Sequence, residues 1–270
     1  MKKLIMNYRE YFIACREKWR QENRELIPPK FENFYNDPAR PAPTNTFSAD
    51  YQLAVDSAAQ RVFDYFSNSN EQSIILKHPD IWSIREQLET MSSFIAPHLE
   101  KTMYGCYLYV DKIYVYRTTK CERDSSYIWH YDNNPDEIVK NIIYLNNVSA
   151  KNSPFEYLVK PDGKGYLFNG TRVGPGKWNN APNGSRVNKE VKELQAVGHE
   201  PTTITGPKGT TFSFNNNIGH RANPIIEGYR DVINIRVKPS LNRIDFINKK
   251  YTTSFEKAGV VDPNPEKISV

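Results

Sequence analysis

The 270-residue sequence predicts an α+β chain, with helices first and then a β-barrel or sandwich against which they pack on one side. Three observations carry this. Apolar residues recur at helical spacing before Gly105, whereas short runs rich in β-branched and aromatic residues follow it, bounded by Asn, Gly and Pro. The aromatic content of 13% suits pleated, half-buried surfaces. No apolar run approaches the roughly 20 residues that a membrane-spanning helix needs.

The elements follow in order. Residues 7–26 place Tyr8, Phe12, Cys15 and Trp19 at helical spacing among many charges, which predicts an amphipathic helix. A Pro-rich connector runs from Pro28 to Pro43. Ser48 or Asp50 then caps a second helix reaching about Asn68, and a third fits 83–101, interrupted near Pro97. Strands are predicted over 106–119, 138–145, 209–216 and 230–238. Residues 158–207 stand apart, with eight glycines and several Pro and Asn; only 186–197 has the pattern of a short helix. The expected organisation is a helical region over 1–104, a core over 105–245 that carries 158–207 as an insert, and a tail over 246–270. Together these form one structural domain.

Composition narrows the partners. A net charge of +5 is mildly basic, and basic residues alternate with acidic ones. This is an ordinary solvated surface, without the clustered basic face of a nucleic-acid binder. Three cysteines (Cys15, Cys106 and Cys121) are too few and too scattered for a disulfide framework or a zinc site, so free thiols in a reducing cytoplasm are expected. The opening MKKLIMNYREYF is interrupted by charge and Tyr and does not read as a secretory signal. Oligomeric state is not legible, and a homodimer remains open.

Chemistry concentrates in Trp129-His130-Tyr131-Asp132 and the distant His220. An iron that binds O2 and a co-substrate needs few protein ligands on one face, and two imidazoles with one carboxylate meet that need. On an extended strand His130 and Asp132 point the same way, so both reach one ion while the third ligand comes from another strand. His78, His98 and His199 read as structural or solvated.

The block WHYDNNPDEIVKNIIYLNNVSAKNSPFEYL (129–158) and the block GPKGTTFSFNNNIGHRANPIIEGYR (206–230) resemble the iron(II)/2-oxoglutarate oxygenase superfamily, in its phytanoyl-CoA-hydroxylase-like and prolyl-hydroxylase-like branch. The resemblance rests on His130, Asp132 and His220, and on Gly228 and Arg230 at the family's spacing after the distal histidine. It implies a mainly β double-stranded β-helix (a jelly-roll, cupin-like barrel) buttressed by the amino-terminal helices. It implies Fe(II) on the three ligands, with 2-oxoglutarate and O2 as co-substrates. Succinate and CO2 would be released on hydroxylation of a small metabolite, amino acid or sugar-type substrate.

In this resemblance Arg230 binds the far carboxylate of 2-oxoglutarate as a bidentate, charge-assisted pair. Arg236 shares its strand face and is the rival. Tyr116 matches a family tyrosine that contacts the co-substrate, and equally reads as a core residue. Trp129, Tyr131, Lys140, Asn141 and Tyr144 are further pocket candidates. If residues 158–207 fold over the barrel mouth as a lid, Arg172, Lys177 and Arg186 would meet an anionic substrate; a solvated surface excursion is the alternative. Where some relatives carry Ser, two positions after the distal histidine, this chain has Ala222, so a second co-substrate contact must come from elsewhere. Asp132 stands where related halogenases have a small residue, which disfavours halogenation. A non-catalytic or non-oxidative cupin-type binding protein, and a peptidyl substrate, are the alternatives.

Overall fold

The apolar spacing of the amino-terminal third builds three helices in the computed structural model, which describes residues 8–30, 39–41, 47–67, 73–75, 83–119, 125–132, 136–168 and 186–243. Helix α1 (Tyr8–Glu22) buries Tyr11, Phe12, Cys15 and Trp19 along one stripe. Helix α2 (Ala49–Ser67) buries Val55, Ala58, Val62 and Phe66, and α3 (Arg85–Leu99) buries Leu88, Met91, Ile95 and Leu99. The break expected at Pro97 is absent: α3 runs through it and widens afterwards into a π-helical turn, Glu100–Tyr104. Pro97 removes one N–H from the ladder and loosens the last turn. The turn closes with Gly105 N–H donating to the Glu100 carbonyl at 2.7 Å. Gly105 takes φ +62°, and a Cβ there would meet Pro28 at 3.1 Å.

Among the described residues there are nine strands. β1 (Ala39–Pro41) and β2 (Ser73–Ile75) lie before Gly105, inside the stretch expected to be helical. β3 (Tyr107–Thr118), β4 (Val139–Tyr144), β5 (Phe155–Val159), β6 (Glu200–Ile204), β7 (Thr211–Asn215), β8 (His220–Ala222) and β9 (Arg230–Ser240) follow the predicted change of texture. They form a six-stranded antiparallel sheet ordered β1-β7-β4-β9-β3-β2 and a three-stranded one ordered β6-β5-β8. Among the described residues these are two separate sheets, not a closed barrel. The short strands β1, β2, β5 and β6 were not legible as strands, and β8 was expected as the strand of the third ligand but without bounds, because such short runs carry too little alternation.

Alternation sets the layers. Val139, Ile143, Ile233, Ile235 and Val237 face the three helices. Ile142, Tyr144, Phe212, Phe214 and Val232 face inward onto Phe155 and Ile204 of the smaller sheet. A bulge in β3 between Val110 and Lys112 keeps both halves of that strand on the helical core: Leu108 and Val110 before it, Ile113 and Val115 after it. Tyr114, Tyr116 and Thr118 therefore project between the sheets. A fourth helix, α4 (Asn188–Gln195), covers the outer face of the smaller sheet through Val187 and Val191, packed with Trp129, Tyr131 and Leu158. Within 158–207 the described residues thus include the end of β5, α4 and β6.

Candidate metal centre

Backbone pairing brings the three predicted ligands together. His130 N–H donates to the His220 carbonyl and His220 N–H to that of His130, each at 2.9 Å. Directly opposed residues share a face, so the imidazoles sit side by side with ring centroids 4.3 Å apart. Asp132 lies two residues on and returns to the same face, its N–H bound to the Asn216 carbonyl at 2.8 Å. One donor atom from each of His130, Asp132 and His220 lies within 4.8 Å of the others.

Tautomer and charge agree with metal binding. His130 Nδ1 is 2.7 Å from the Ile128 carbonyl and His220 Nδ1 is 2.8 Å from that of Ile218. A carbonyl only accepts, so each Nδ1 carries the proton and each Nε2 offers its lone pair. Burial pulls both imidazoles below their usual pKa, His220 to about 3. Burial pushes the Asp132 carboxyl up, but Lys140 and the two histidines override it and leave it at about 2. The unit is a carboxylate between two neutral imidazoles, with Asp132 Oδ2 3.8 Å from His220 Nε2. Lys140, from the opposite sheet, places its ammonium 2.7 Å from the same Oδ2. Two nitrogens and one carboxylate oxygen are the donor set that suits ferrous iron.

His130 and His220 open onto a cavity of about 300 Å³ between the sheets, which Lys140, the partner of Asp132, also lines. Phe155 and Phe214 pack on His220, at centroid distances of 5.5 and 5.1 Å. Arg230 lines the same cavity, buried at the first residue of β9. It donates to the Ser153 carbonyl, and a second nitrogen is 3.5 Å from Thr118 Oγ1. No carboxylate pairs with it among the described residues, and its Nε is buried without a partner. A buried guanidinium of this kind fits a carboxylate-bearing ligand.

The other predicted residues divide. Tyr116 and Lys140 line the cavity. Arg236 stands opposite Lys140 in the β4–β9 register but does not line it. Trp129 and Tyr131 do not face the cavity: they alternate with the ligands and lie on the outer face, Trp129 under Arg221 and Tyr131 stacked on Phe168 at 5.5 Å. Tyr144 is a brace between sheets, donating to the Ile204 carbonyl at 2.7 Å and accepting from Phe155 N–H at 3.0 Å. Asn141 faces the helices, bonded to Thr211 and Ser213. Arg186 bridges His130 through its backbone while its side chain is exposed. Arg172 and Lys177, with Cys121, His78 and residues 246–270, lie outside the described residues.

Reading the sequence did not single out several residues of the cavity wall, among them Tyr114, Thr118, Ser126, Phe155, Arg221 and Asn234. Alternation from Tyr116 and Arg230 would have supplied Tyr114, Thr118 and Asn234; nothing local marks the others.

No family model and no curated protein sequence matches the chain. Solved iron and 2-oxoglutarate proteins do resemble it in structure. EctD from S. alaskensis, solved with bound Fe, is 16% identical with a TM-score of 0.49, over 87% of this chain and 86% of that one. HygX from Streptomyces hygroscopicus, with nickel and 2-oxoglutarate bound, is 14% identical with a TM-score of 0.48, over 80% and 90%. The epimerase SnoN, in complex with Fe3+, alpha ketoglutarate and nogalamycin RO, is 14% identical with a TM-score of 0.49, over 80% and 85%. Identities this low bear on the fold alone, and TM-scores below 0.5 leave the assignment to the chemistry of the site.

Proposed function

We propose that the chain is an Fe(II)/2-oxoglutarate-dependent oxygenase that hydroxylates a small metabolite. One observation carries the reading: three metal donors lie within 4.8 Å of one another, and two of them, His130 and His220, share a cavity with a buried guanidinium that has no acidic partner among the described residues. The strand order supports the double-stranded β-helix reading, because the His130 segment pairs with β8 and extends the smaller sheet opposite β4, β7 and β9.

His130, Asp132 and His220 would hold the iron, and the bound iron with 2-oxoglutarate would supply O2-dependent oxidation of a C–H bond, with release of succinate and CO2. The chain does the rest. The Ile128 and Ile218 carbonyls fix the rings, and Lys140 orients Asp132 before metal arrives. Arg230 receives the far carboxylate of the co-substrate, flanked by Thr118 and Tyr116. Ile142, Phe155 and Phe214 keep water from the reacting centre.

The test is anaerobic: ferrous iron plus 2-oxoglutarate should produce a visible absorption band, and air should then release succinate. Asp132→Ala should lose both. Equal succinate release by wild type and variant would sink the assignment, and a metal site without the band would favour the non-oxidative binding protein.

A further inference from the structure

We propose that the substrate carries one anionic group, a carboxylate, and that Lys140 receives it. The inference rests on the oxygenase reading and goes past it to the class of substrate.

Lys140 projects from the inner face of β4 into the cavity, with its ammonium 2.7 Å from Asp132 Oδ2. Without metal, Asp132 is its counter-ion. A divalent ion held by His130, Asp132 and His220 claims that carboxylate and repels the ammonium, which turns toward the cavity. Among the described residues that line the cavity there is no other Asp or Glu to take it.

The charges of the loaded site show what is missing. Each histidine that ligates through Nε2 and donates from Nδ1 is neutral. Asp132 contributes one negative charge, and Lys140 and Arg230 one positive charge each; Arg221 also lines the cavity, but its charge is met by Glu156. A ferrous ion and the 2-oxoglutarate dianion cancel. One positive charge is left over, and it resides on Lys140, because Arg230 is engaged by the co-substrate. The apolar part of the cavity wall, Ile142, Phe155 and Phe214, supplies no compensation, and the uncharged polar residues of the lining carry no negative charge. A monoanionic substrate leaves the loaded site neutral; a neutral one leaves a buried charge unpaired. The amide of Asn234, whose Oδ1 is buried without a partner, is a polar group left for the remainder of the substrate.

The test uses the full chain loaded with ferrous iron and 2-oxoglutarate under nitrogen. It is titrated with short aliphatic and aryl-substituted monocarboxylic acids and with the primary amide of each, and the visible band is followed. Acids should shift the band where their amides do not. The ratio of acid to amide response should collapse in Lys140→Gln and return in part in Lys140→Arg; as a ratio, it is insensitive to a weakened metal site. Reductive methylation of Lys140, read by mass spectrometry, needs no choice of substrate and should rise several-fold on loading. The proposal is overturned if amides act as acids do, if no acid shifts the band, or if Lys140 becomes no more reactive. Failure of the oxygenase reading looks different, since wild type then shows no band to shift.

Discussion

Replacing Arg230 with Gln separates the co-substrate assignment from the metal site. Arg230 is 4% exposed, lines the cavity that His130 and His220 also line, and has no carboxylate partner among the described residues. Docking a carboxylate there creates charge-assisted hydrogen bonds of about 1.5–3 kcal/mol each. Losing the guanidinium removes the charge and the fork but leaves an amide able to donate one bond, so a net loss of about 3 kcal/mol is expected, or roughly a 150-fold weaker complex. Arg230→Lys keeps the charge without the fork and should lose about tenfold. The metal-free variant should unfold within about 1 kcal/mol of wild type, because the lost bond to Ser153 is offset by removal of a poorly partnered buried cation. The assay is titration of 2-oxoglutarate into the iron-loaded protein under nitrogen, with iron affinity measured separately. A dissociation constant within about twofold of wild type would refute the role of Arg230. A larger effect from Arg236→Gln would move that role to Arg236.

Other consequences follow from the same geometry. Metal-free His130 and His220 have depressed pKa values, so their stabilising contribution is complete above the unfolded value of about 6.5 and is lost as pH falls below it, with a slope approaching 1.4 kcal/mol per pH unit for each proton. Asp132, at about 2, adds its own loss only at lower pH. Thermal melts in chelator should therefore decline below pH ~6.5 and flatten in His220→Gln; a flat wild-type profile would refute the buried neutral imidazoles. Arg117→Met should cost about 3–5 kcal/mol by stranding buried Asp231, which it binds twice at 2.7 Å. Arg117→Met combined with Asp231→Leu should lose less than the single change, and equal losses in urea melts would refute the pairing. Tyr144→Phe should cost about 1–3 kcal/mol in stability with 2-oxoglutarate affinity unchanged, since its hydroxyl serves Ile204 and Phe155; weakened 2-oxoglutarate binding would return it to the cavity.

The clustering of the candidate ligands was legible because it obeys a local rule: residues two apart on a strand share a face, which joins His130 to Asp132. The same rule, carried one step further, places Trp129 and Tyr131 on the opposite face, where they pack beneath α4 and Arg221. Predicting both sets as pocket residues ignored that alternation. Tyr144 misled for another reason. It has the parity of Lys140 and Ile142, but two residues further along β4 the smaller sheet closes over it and its hydroxyl finds backbone partners. Parity fixes the face, and only the second sheet decides how deep along that face the cavity extends. The fold was legible where strands are long, as in β3 and β9, and illegible where pairing partners define them, as in β2, which has three residues.

The site divides its work between the sheets. All three metal donors come from the smaller sheet and its His130 extension, whereas Lys140, Arg230, Tyr116 and Thr118 come from the larger one. A metal would therefore be held by one sheet and the proposed co-substrate anchor by the other, so the inter-sheet distance would set whether a single 2-oxoglutarate reaches both. That distance is fixed by Phe155 packed on Phe212 and Phe214, at 5.0 and 4.5 Å between centroids, and by the Tyr144 hydroxyl. Lys140 to Asp132 is an ion pair across the gap. A metal that displaces that contact exchanges a direct tie between the sheets for one running through the co-substrate to Arg230. That ligand-borne tie would exist only with both ligands present, in addition to the Phe155 and Tyr144 contacts, so iron and 2-oxoglutarate should bind with positive coupling, each strengthening the other by the same factor.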